Sequence, residues 1–536
     1  MQNEELFWAD QIADSIINRK KFHYTEDSIP KFSPYTVKTS ASLSGVLHIG
    51  RLSDTIRSES VYRALKDHGN KAKLIWVAED MDPLRKIPKG VPKSYEKYLG
   101  MAVTDLPDPH GCHKNYAEHH KEEYLKVIHD FVSTKLEIYS TREEYKKGSF
   151  KPYIKKVLEN TEKIIEIQNQ YRKEPLENWS PWKPICEKCG KLSTTHLTEF
   201  NDKTFSYECK DYNFESTTAT GCGHKGVDDP LKGNGKLMWK SEWAAEWAMW
   251  KIVSEGAGKE YQVPGSAFWI NGEICEKILN FPMPKPIFYE HLMIDNKKMS
   301  ASLGNVIYPK DWLEVSYPEH LRMFYNKKVM KTRSFSWQDL PRMYDEFDKL
   351  ARVTFGEEKL DNKKELQHYK RLYEISTLKS KKKPLQVTFA LAAMVSQVFT
   401  EEKDAVAMLK KTGHFDQKNA KDIKDRLAKA RTWLDNHVPE DQKFSIQEKV
   451  PEGLDLNDKQ LEALQRIAEI LKKGSYNEDS LYQEFYNICK DIDITPKDLF
   501  KAGYNVLLNK DRGPKLASLI LAIGSENVIS LFEKAS

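Results

Sequence analysis

Two short stretches place glycine, a basic side chain and hydroxyls where a nucleotide phosphate could be held. The first is Leu43-Ser44-Gly45-Val46-Leu47-His48-Ile49-Gly50. Gly45 and Gly50 carry no Cβ, so backbone and ligand can come close, and His48 can donate a hydrogen bond to a phosphate oxygen. The second is Lys297-Lys298-Met299-Ser300-Ala301-Ser302-Leu303-Gly304-Asn305, in which Lys298 supplies charge and Ser300 and Ser302 supply donors. Taken singly, the two also describe a surface histidine at a helix start and a solvated lysine loop. A third group is suited to a metal: Cys186-Glu187-Lys188-Cys189-Gly190, then Cys209, then Cys222-Gly223-His224. Zn²⁺ takes four thiolate or imidazole ligands in a tetrahedron, and paired knuckles supply them from separate hairpins. A redox C-x-x-C needs a thioredoxin-like setting, which is absent. The four cysteines are the first choice of ligands, with His224 as the alternative to Cys222 or Cys209. Cys112, Cys275 and Cys489 stand alone and read as ordinary thiols.

The elements around the first stretch must hold it at a strand-to-helix junction. Residues 34–39 read as a strand running into the Ser/Gly turn and His48. Leu52, Ile56, Val61 and Leu65 then form a helical stripe that stops at Gly69. Ala72-Lys73-Leu74-Ile75-Trp76-Val77 reads as a buried strand ending on Glu79-Asp80-Met81-Asp82. This is a βαβ unit, and ligands of open α/β sheets bind beyond the carboxyl ends of such strands; His48 and Asp80–Asp82 are expected to share that crevice. Residues 1–30 read as a short amphipathic helix and a loop, and 83–180 as Pro/Gly-rich connections with two helical stretches. Residues 236–310 return to mixed α/β character. After about residue 312 the pattern is helical and no strand is expected. The run Leu378-Lys379-Ser380-Lys381-Lys382-Lys383-Pro384 reads as a solvated linker rather than a phosphate clamp.

The chain has 536 residues, room for three or four domains. It is 40% hydrophobic and 30% charged, as soluble globular proteins are. A net charge of +5 permits a polyanionic partner without demanding one. No apolar run is long enough to span a bilayer and no secretory signal is recognised. Seven cysteines without a signal point to a reducing compartment, so a cytoplasmic protein without membrane attachment is expected.

In their order and separation, the two phosphate stretches resemble the HIGH and KMSKS signatures of class I aminoacyl-tRNA synthetases. The resemblance extends along nearly the whole chain to class I lysyl-tRNA synthetase, the form found mainly in archaea and some bacteria. It is carried by Glu79-Asp80-Met81-Asp82-Pro83-Leu84-Arg85-Lys86, Leu106-Pro107-Asp108-Pro109-His110-Gly111-Cys112-His113 and Tyr116-Ala117-Glu118-His119. The cysteine knuckle, Gly235 to Trp243, Gly258-Lys259-Glu260, Phe288-Tyr289-Glu290 and Leu507 to Leu516 continue it.

The resemblance implies an α/β Rossmann-type catalytic domain with a parallel sheet and a zinc-bearing insertion, followed by an all-α C-terminal anticodon-binding domain. It implies the divisions 1–110 and 236–312 for the two catalytic halves, 111–235 for the insertion, 313–385 for a helical stem-contact region and 386–536 for the anticodon domain. The implied reaction joins lysine to ATP as lysyl-adenylate and transfers it to tRNA(Lys), with Mg²⁺ on the phosphates, Zn²⁺ in the knuckle and a monomeric enzyme. His48 would serve the α-phosphate, with Gly45 and Gly50 beside the nucleotide. Lys298, Met299, Ser300 and Ser302 would serve the mobile phosphate loop. Ser42, Glu242, Trp243, Tyr261 and Tyr289 would line the lysine pocket. A lysine ammonium wants a carboxylate, an aromatic face or both; Glu242 and Glu290 are the nearby acids, and the sequence leaves open which points inward. The pocket also departs from the family. Ser40-Ala41-Ser42 replaces a Gly/Pro turn, Arg51 follows the first signature, and Glu260-Tyr261 stands for Asp-His. Trp239-Lys240-Ser241-Glu242-Trp243 stands for Trp-Arg-Val-Asp-Trp, and Leu303 stands for Lys. A divergent paralogue that binds tRNA or nucleotide with weak or no ligation, and a ligase for another amino acid, are the alternative readings.

Overall fold

The computed structural model describes residues 6–43, 45–88, 90–177, 179–200, 203–299, 305–379 and 381–535. Two compact units divide the chain. One comprises 1–312, 317–335 and 359–381; the other comprises 313–316, 336–358 and 382–536.

The first unit is built on a five-stranded parallel sheet: β1 Tyr35–Ser42, β2 Ala72–Glu79, β3 Glu137–Ser140, β4 Ile252–Gly258 and β5 Lys285–Tyr289. Their order across the sheet is β5-β4-β1-β2-β3. The chain leaves β1 in one direction and returns in the other, so β1 and β4 flank a topological switch point, where open α/β sheets bind ligands. The expected βαβ unit is present, with both strands longer than their apolar patterns suggested. Its helix α1, Ile49–Asp67, is buried along nearly its whole length, and Gly69 at φ +79° turns the chain into β2. Residues 83–180 carry four α-helices rather than two: α2 Tyr116–Phe131, then Thr141–Lys147, Lys151–Glu159 and Thr161–Asn169. Asn115 and Ser140 cap two of them, with side chains that accept from Glu118 N and Glu143 N.

The two faces of the sheet have different partners. In register, Lys38 of β1 lies beside Ile75 of β2 and Glu255 of β4. Its side chain reaches Glu246 on α3, Trp239–Trp250. Period-2 alternation puts Ser40, Ser42, Val77, Glu79 and Ala257 on that α3 face. The apolar core there gathers Ile75, Val77, Trp243, Trp247 and Phe268, the last from α4, Ala267–Lys277. Thr39 and Gly256 face α1 instead, where Thr39 donates to Asp54 and a Cβ on Gly256 would overlap the Asp54 carboxylate.

A short strand, Arg333–Phe335, pairs with Leu292–Ile294 in a small sheet, although no strand was expected beyond 312; three residues are too few to show a period. Helix α5, Pro318–Asn326, returns to the first unit through a fully buried ion pair. Arg322 bonds Glu59 of α1 and the carbonyls of Phe131 and Ile375. The second unit is all-helical among its described residues, from Leu340–Phe355 to Ser525–Ala535. The α/β class with a helical C-terminal region therefore stands as expected. Among the described residues, no single helix is long and apolar enough to cross a membrane. In the lysine-rich run, Lys381 pairs with Glu374, Lys382 with Asp422 and Lys383 with Glu357, so these three ammoniums are already engaged within the protein.

Candidate active site

His48 is the N-cap of α1, at the end of the loop that leaves β1 at the switch point. Gly50 N donates to its Nδ1 at 3.1 Å. That bond assigns the neutral tautomer that carries hydrogen on Nε2, so the imidazole has one donor left to offer. Burial, helped by the charge of Arg51, lowers its pKa to about 4, which keeps it neutral at physiological pH. A helix N-terminus with its dipole and unpaired N–H groups is a ready site for a phosphate.

The lysine-rich loop comes to the same place. Asp295 and Asn296, both at positive φ, make the two-residue turn between Leu292–Ile294 and Lys297–Lys298. Lys298 is exposed, and Asn305 Nδ2 donates to its carbonyl at 3.2 Å. A Cβ built on Gly50 would lie 2.7 Å from both His48 Cε1 and Met299 Cε, so the two signatures meet across this glycine. Ile49 N donates to Ile307 O at 2.9 Å, a second tie. Gly45 has no such constraint; its nearest neighbour would be Pro88 at 4.0 Å. Ser300 and Ser302 lie outside the described residues.

The residues expected around the amino acid divide between the two faces. Trp239, half-exposed, stacks on Trp243 at 5.7 Å and 14°, and Tyr261, from the turn after β4, stands edge-on to Trp243 at 5.7 Å. With Ser42 at the end of β1 they form one wall on the α3 face. Tyr289, at the end of β5 opposite Gly258, belongs to the α1 face, and the Arg57 guanidinium lies 4.7 Å over its ring. Glu242 is buried, and both of its oxygens are engaged: Lys236 lies at 2.7 Å and the Tyr145 hydroxyl donates at 2.8 Å. Glu290 pairs with Lys259 at 3.0 Å. Asp80 does not face the crevice; it is buried and accepts from Ser140, Thr141 and Arg142 N, fixing the start of the Thr141–Lys147 helix.

Sequence reasoning missed the charged layer beneath the aromatic wall. Lys38 is fully buried and touches Glu246 at 2.6 Å, Glu255 at 2.9 Å and Glu79 at 3.2 Å. Burial alone would lower its pKa, but the three carboxylates raise it well above the ordinary value. Glu255 also receives the indole N–H groups of Trp243, at 2.9 Å, and of Trp247. A lysine inside a strand of mixed polarity gives no signal that it is buried; only the acids, brought from distant segments, reveal it.

The sulfurs of Cys186, Cys189, Cys209 and Cys222 all lie within 4.8 Å of one another, with two edges of 3.6 and 3.7 Å. A tetrahedron with ~2.3 Å Zn–S bonds has edges of about 3.8 Å, so these residues fit zinc. His224 turns away, to Glu187 at 2.7 Å. Cys112 is not the isolated thiol the sequence suggested. Its sulfur lies 3.0 Å from His113 Nδ1, 3.3 Å from His119 Nδ1 and 3.2 Å from Asp108, and the two imidazole nitrogens are 3.2 Å apart. Asp108 is held by the backbone N–H groups of His110, Cys112 and His113. This second group could also hold a metal. Four ligands drawn from a Pro/Gly-rich loop and the start of α2 have no knuckle spacing, so the sequence did not expose them.

Residues 6–379 match the family described as tRNA synthetases class I (K). The chain is 30% identical to a lysine–tRNA ligase of Methanosphaera stadtmanae, over 98% of each chain. It is 33% identical to one of Methanocaldococcus jannaschii, over 98% of this chain and all of that one. A crystal structure of a glutamate tRNA ligase from Elizabethkingia meningosepticum superposes with a TM-score of 0.41 at 12% identity, covering 94% of this chain and 99% of that one.

Proposed function

Because the chain belongs to the class I tRNA synthetases (K), we propose that it is a lysine–tRNA ligase, activating lysine with ATP and passing it to tRNA(Lys) as a cytoplasmic monomer. The observation that carries the chemistry is the meeting of Met299 with Gly50 and His48 at the switch point. It sets a neutral imidazole donor, a helix N-terminus and the lysine loop around one phosphate-sized space. The carboxylate of the amino acid attacks the α-phosphorus of ATP and pyrophosphate leaves; the adenylate is then attacked at its carbonyl by a hydroxyl of the tRNA's terminal adenosine, and AMP leaves. The protein supplies no nucleophile. Its work is to orient the reactants and to neutralise charge that grows in the transition state. His48 donates Nε2–H toward the α-phosphate, and Gly45 and Gly50 admit the nucleotide. Lys298, with Met299, Ser300 and Ser302 of the same loop, serves the β- and γ-phosphates. Mg²⁺, when bound with ATP, offsets charge on those phosphates.

On the amino-acid side, Ser42, Trp243 and Tyr261 form the wall, and Tyr289 closes the crevice from the α1 face. Glu242 acts from beneath, by holding Lys236. We assign Zn²⁺ to Cys186, Cys189, Cys209 and Cys222, a structural role that ties the hairpin of Thr195–Phe200 and Phe205–Cys209 to the knuckle. The test is ATP–pyrophosphate exchange with each amino acid, with and without tRNA. Exchange strongest with lysine is the expected result. Exchange with a different amino acid alone would select another ligase, and no exchange at all would leave a binding paralogue.

A further inference from the structure

The charge balance beneath the aromatic wall carries the lysine reading one step further, and rests on it. On the α3 face the carboxylates of Glu79, Asp82, Glu242, Glu246 and Glu255 share two ammonium groups, Lys38 and Lys236. Fully ionised, the layer holds three more negative charges than positive ones. Burying unbalanced charge is costly, and the layer must take up protons or a cation. Burial and the charge of Glu79 push the Glu246 carboxyl well up, and burial pushes Glu242 up to about 7. The site is therefore short of a cation, and it lies directly under the aromatic surface that a long alkyl chain would cover.

Only some of these acids can meet a ligand. Glu242 has both oxygens engaged. Glu255 gives one oxygen to Lys38 and the other to two indoles. Glu246 is 1% exposed, so its spare oxygen is sealed in. Glu79 differs. It is the last residue of β2, in register with Ser42 at the end of β1, on the same face. Its side chain is 21% exposed, its contact with Lys38 is the longest of the three, and its Oε2 has no partner among the described residues. Asp82, three residues beyond the strand end, is the rival, and Lys236 lies 3.3 Å from it.

We propose that Glu79 receives the ε-ammonium of lysine and so determines the amino-acid specificity of the site. Lys38 is then a positioning residue: it holds Glu79 ionised and aimed from below while the substrate's cation approaches from the crevice. The substrate supplies part of the missing positive charge, which an uncharged chain of the same length cannot do.

The test compares lysine with norleucine, its analogue without the ammonium, in ATP–pyrophosphate exchange by wild type and Glu79→Gln. Glutamine keeps an oxygen for Lys38. In the variant, kcat/KM for lysine should fall ~10²- to 10³-fold, the cost of breaking a buried charge pair, while norleucine is used at least as well as before and the KM for ATP is unchanged. A lysine-to-norleucine preference as large in Glu79→Gln as in wild type would overturn the proposal. So would loss of that preference in Asp82→Asn with Glu79 intact. If Glu79→Gln folds poorly, Glu79→Asp keeps the charge but withdraws it, and the lysine-dependent rise in Tm should shrink against wild type; an undiminished rise counts against Glu79. The two readings fail separately. A wild type inert toward lysine sinks the ligase assignment, whereas an active wild type with an indifferent Glu79→Gln sinks only the role of Glu79.

Discussion

His48 works as a neutral donor, and that follows from two local facts: it is partly buried beside Arg51, and its Nδ1 is occupied by Gly50 N. Removing a preorganised donor at a developing charge costs about 10²–10³ in rate, so His48→Ala should slow pyrophosphate exchange by that much and leave the Tm nearly unchanged. The sign of its pH effect is determined. Its folded pKa, about 4, lies below the ~6.5 of an unfolded histidine. Its contribution to stability is therefore full above about pH 6.5 and is lost as the pH falls through 4. A ring resonance followed by NMR should titrate near 4 in the folded protein; a midpoint near 6.5 would contradict the burial argument. Gly50→Ala tests the meeting of the two signatures. Alanine suits a helix, but its methyl would press on the imidazole and on Met299. A displacement of this kind costs on the order of a hundredfold in rate, and stopped-flow adenylate formation should show it in a protein that melts normally.

The α1–β1–α3 sandwich is held by charge as well as by apolar packing, and the two were not equally legible. The apolar pattern marked β1, α1 and β2, because hydrophobic periodicity is written locally. The crevice residues came from motif resemblance, and His48, Gly50 and Met299 do converge. Lys38, Glu79, Glu246 and Glu255 were invisible, because their meaning lies in contacts between segments more than two hundred residues apart. Breaking a buried ion pair costs roughly 3–5 kcal/mol. Lys38→Met, which leaves Glu246 and Glu255 without their cation, should destabilise the protein by that order in urea unfolding. Adding Glu246→Gln should recover part of the loss. The insertion makes a parallel prediction. Its two donor clusters should carry two equivalents of zinc by elemental analysis. Cys186→Ser with Cys189→Ser should remove one, and Asp108→Ala with His113→Ala the other; a single equivalent unaffected by the second pair would leave that cluster a hydrogen-bonded knot.

At the scale of the whole molecule, the helical unit draws on chain that the sequence assigned elsewhere. Its buried guanidinium, Arg426, makes two bonds to Asp348, at 2.7 and 3.1 Å, and one to Val387 O at 2.9 Å, and it lies 5.3 Å over the Tyr344 ring. Tyr344 in turn stacks on Phe389 at 4.1 Å. Asp348 and Tyr344 belong to the helix Leu340–Phe355, which precedes the anticodon-domain boundary expected at 386. Helical periodicity continues without a break through this region, so the sequence offers no mark for where one unit takes up the thread from the other. Cutting at 386 would leave Arg426 buried without its carboxylate, a loss of about 3–5 kcal/mol, against a total stability of about 5–15 kcal/mol for a domain. A fragment of residues 336–536 is therefore expected to unfold in urea with one cooperative transition. A fragment of residues 386–536 should show a much lower midpoint or a broad, weakly cooperative loss of helix. Equal midpoints for the two would place the boundary at 386 after all, and would mean that Arg426 finds another partner or water once the Leu340–Phe355 helix is gone.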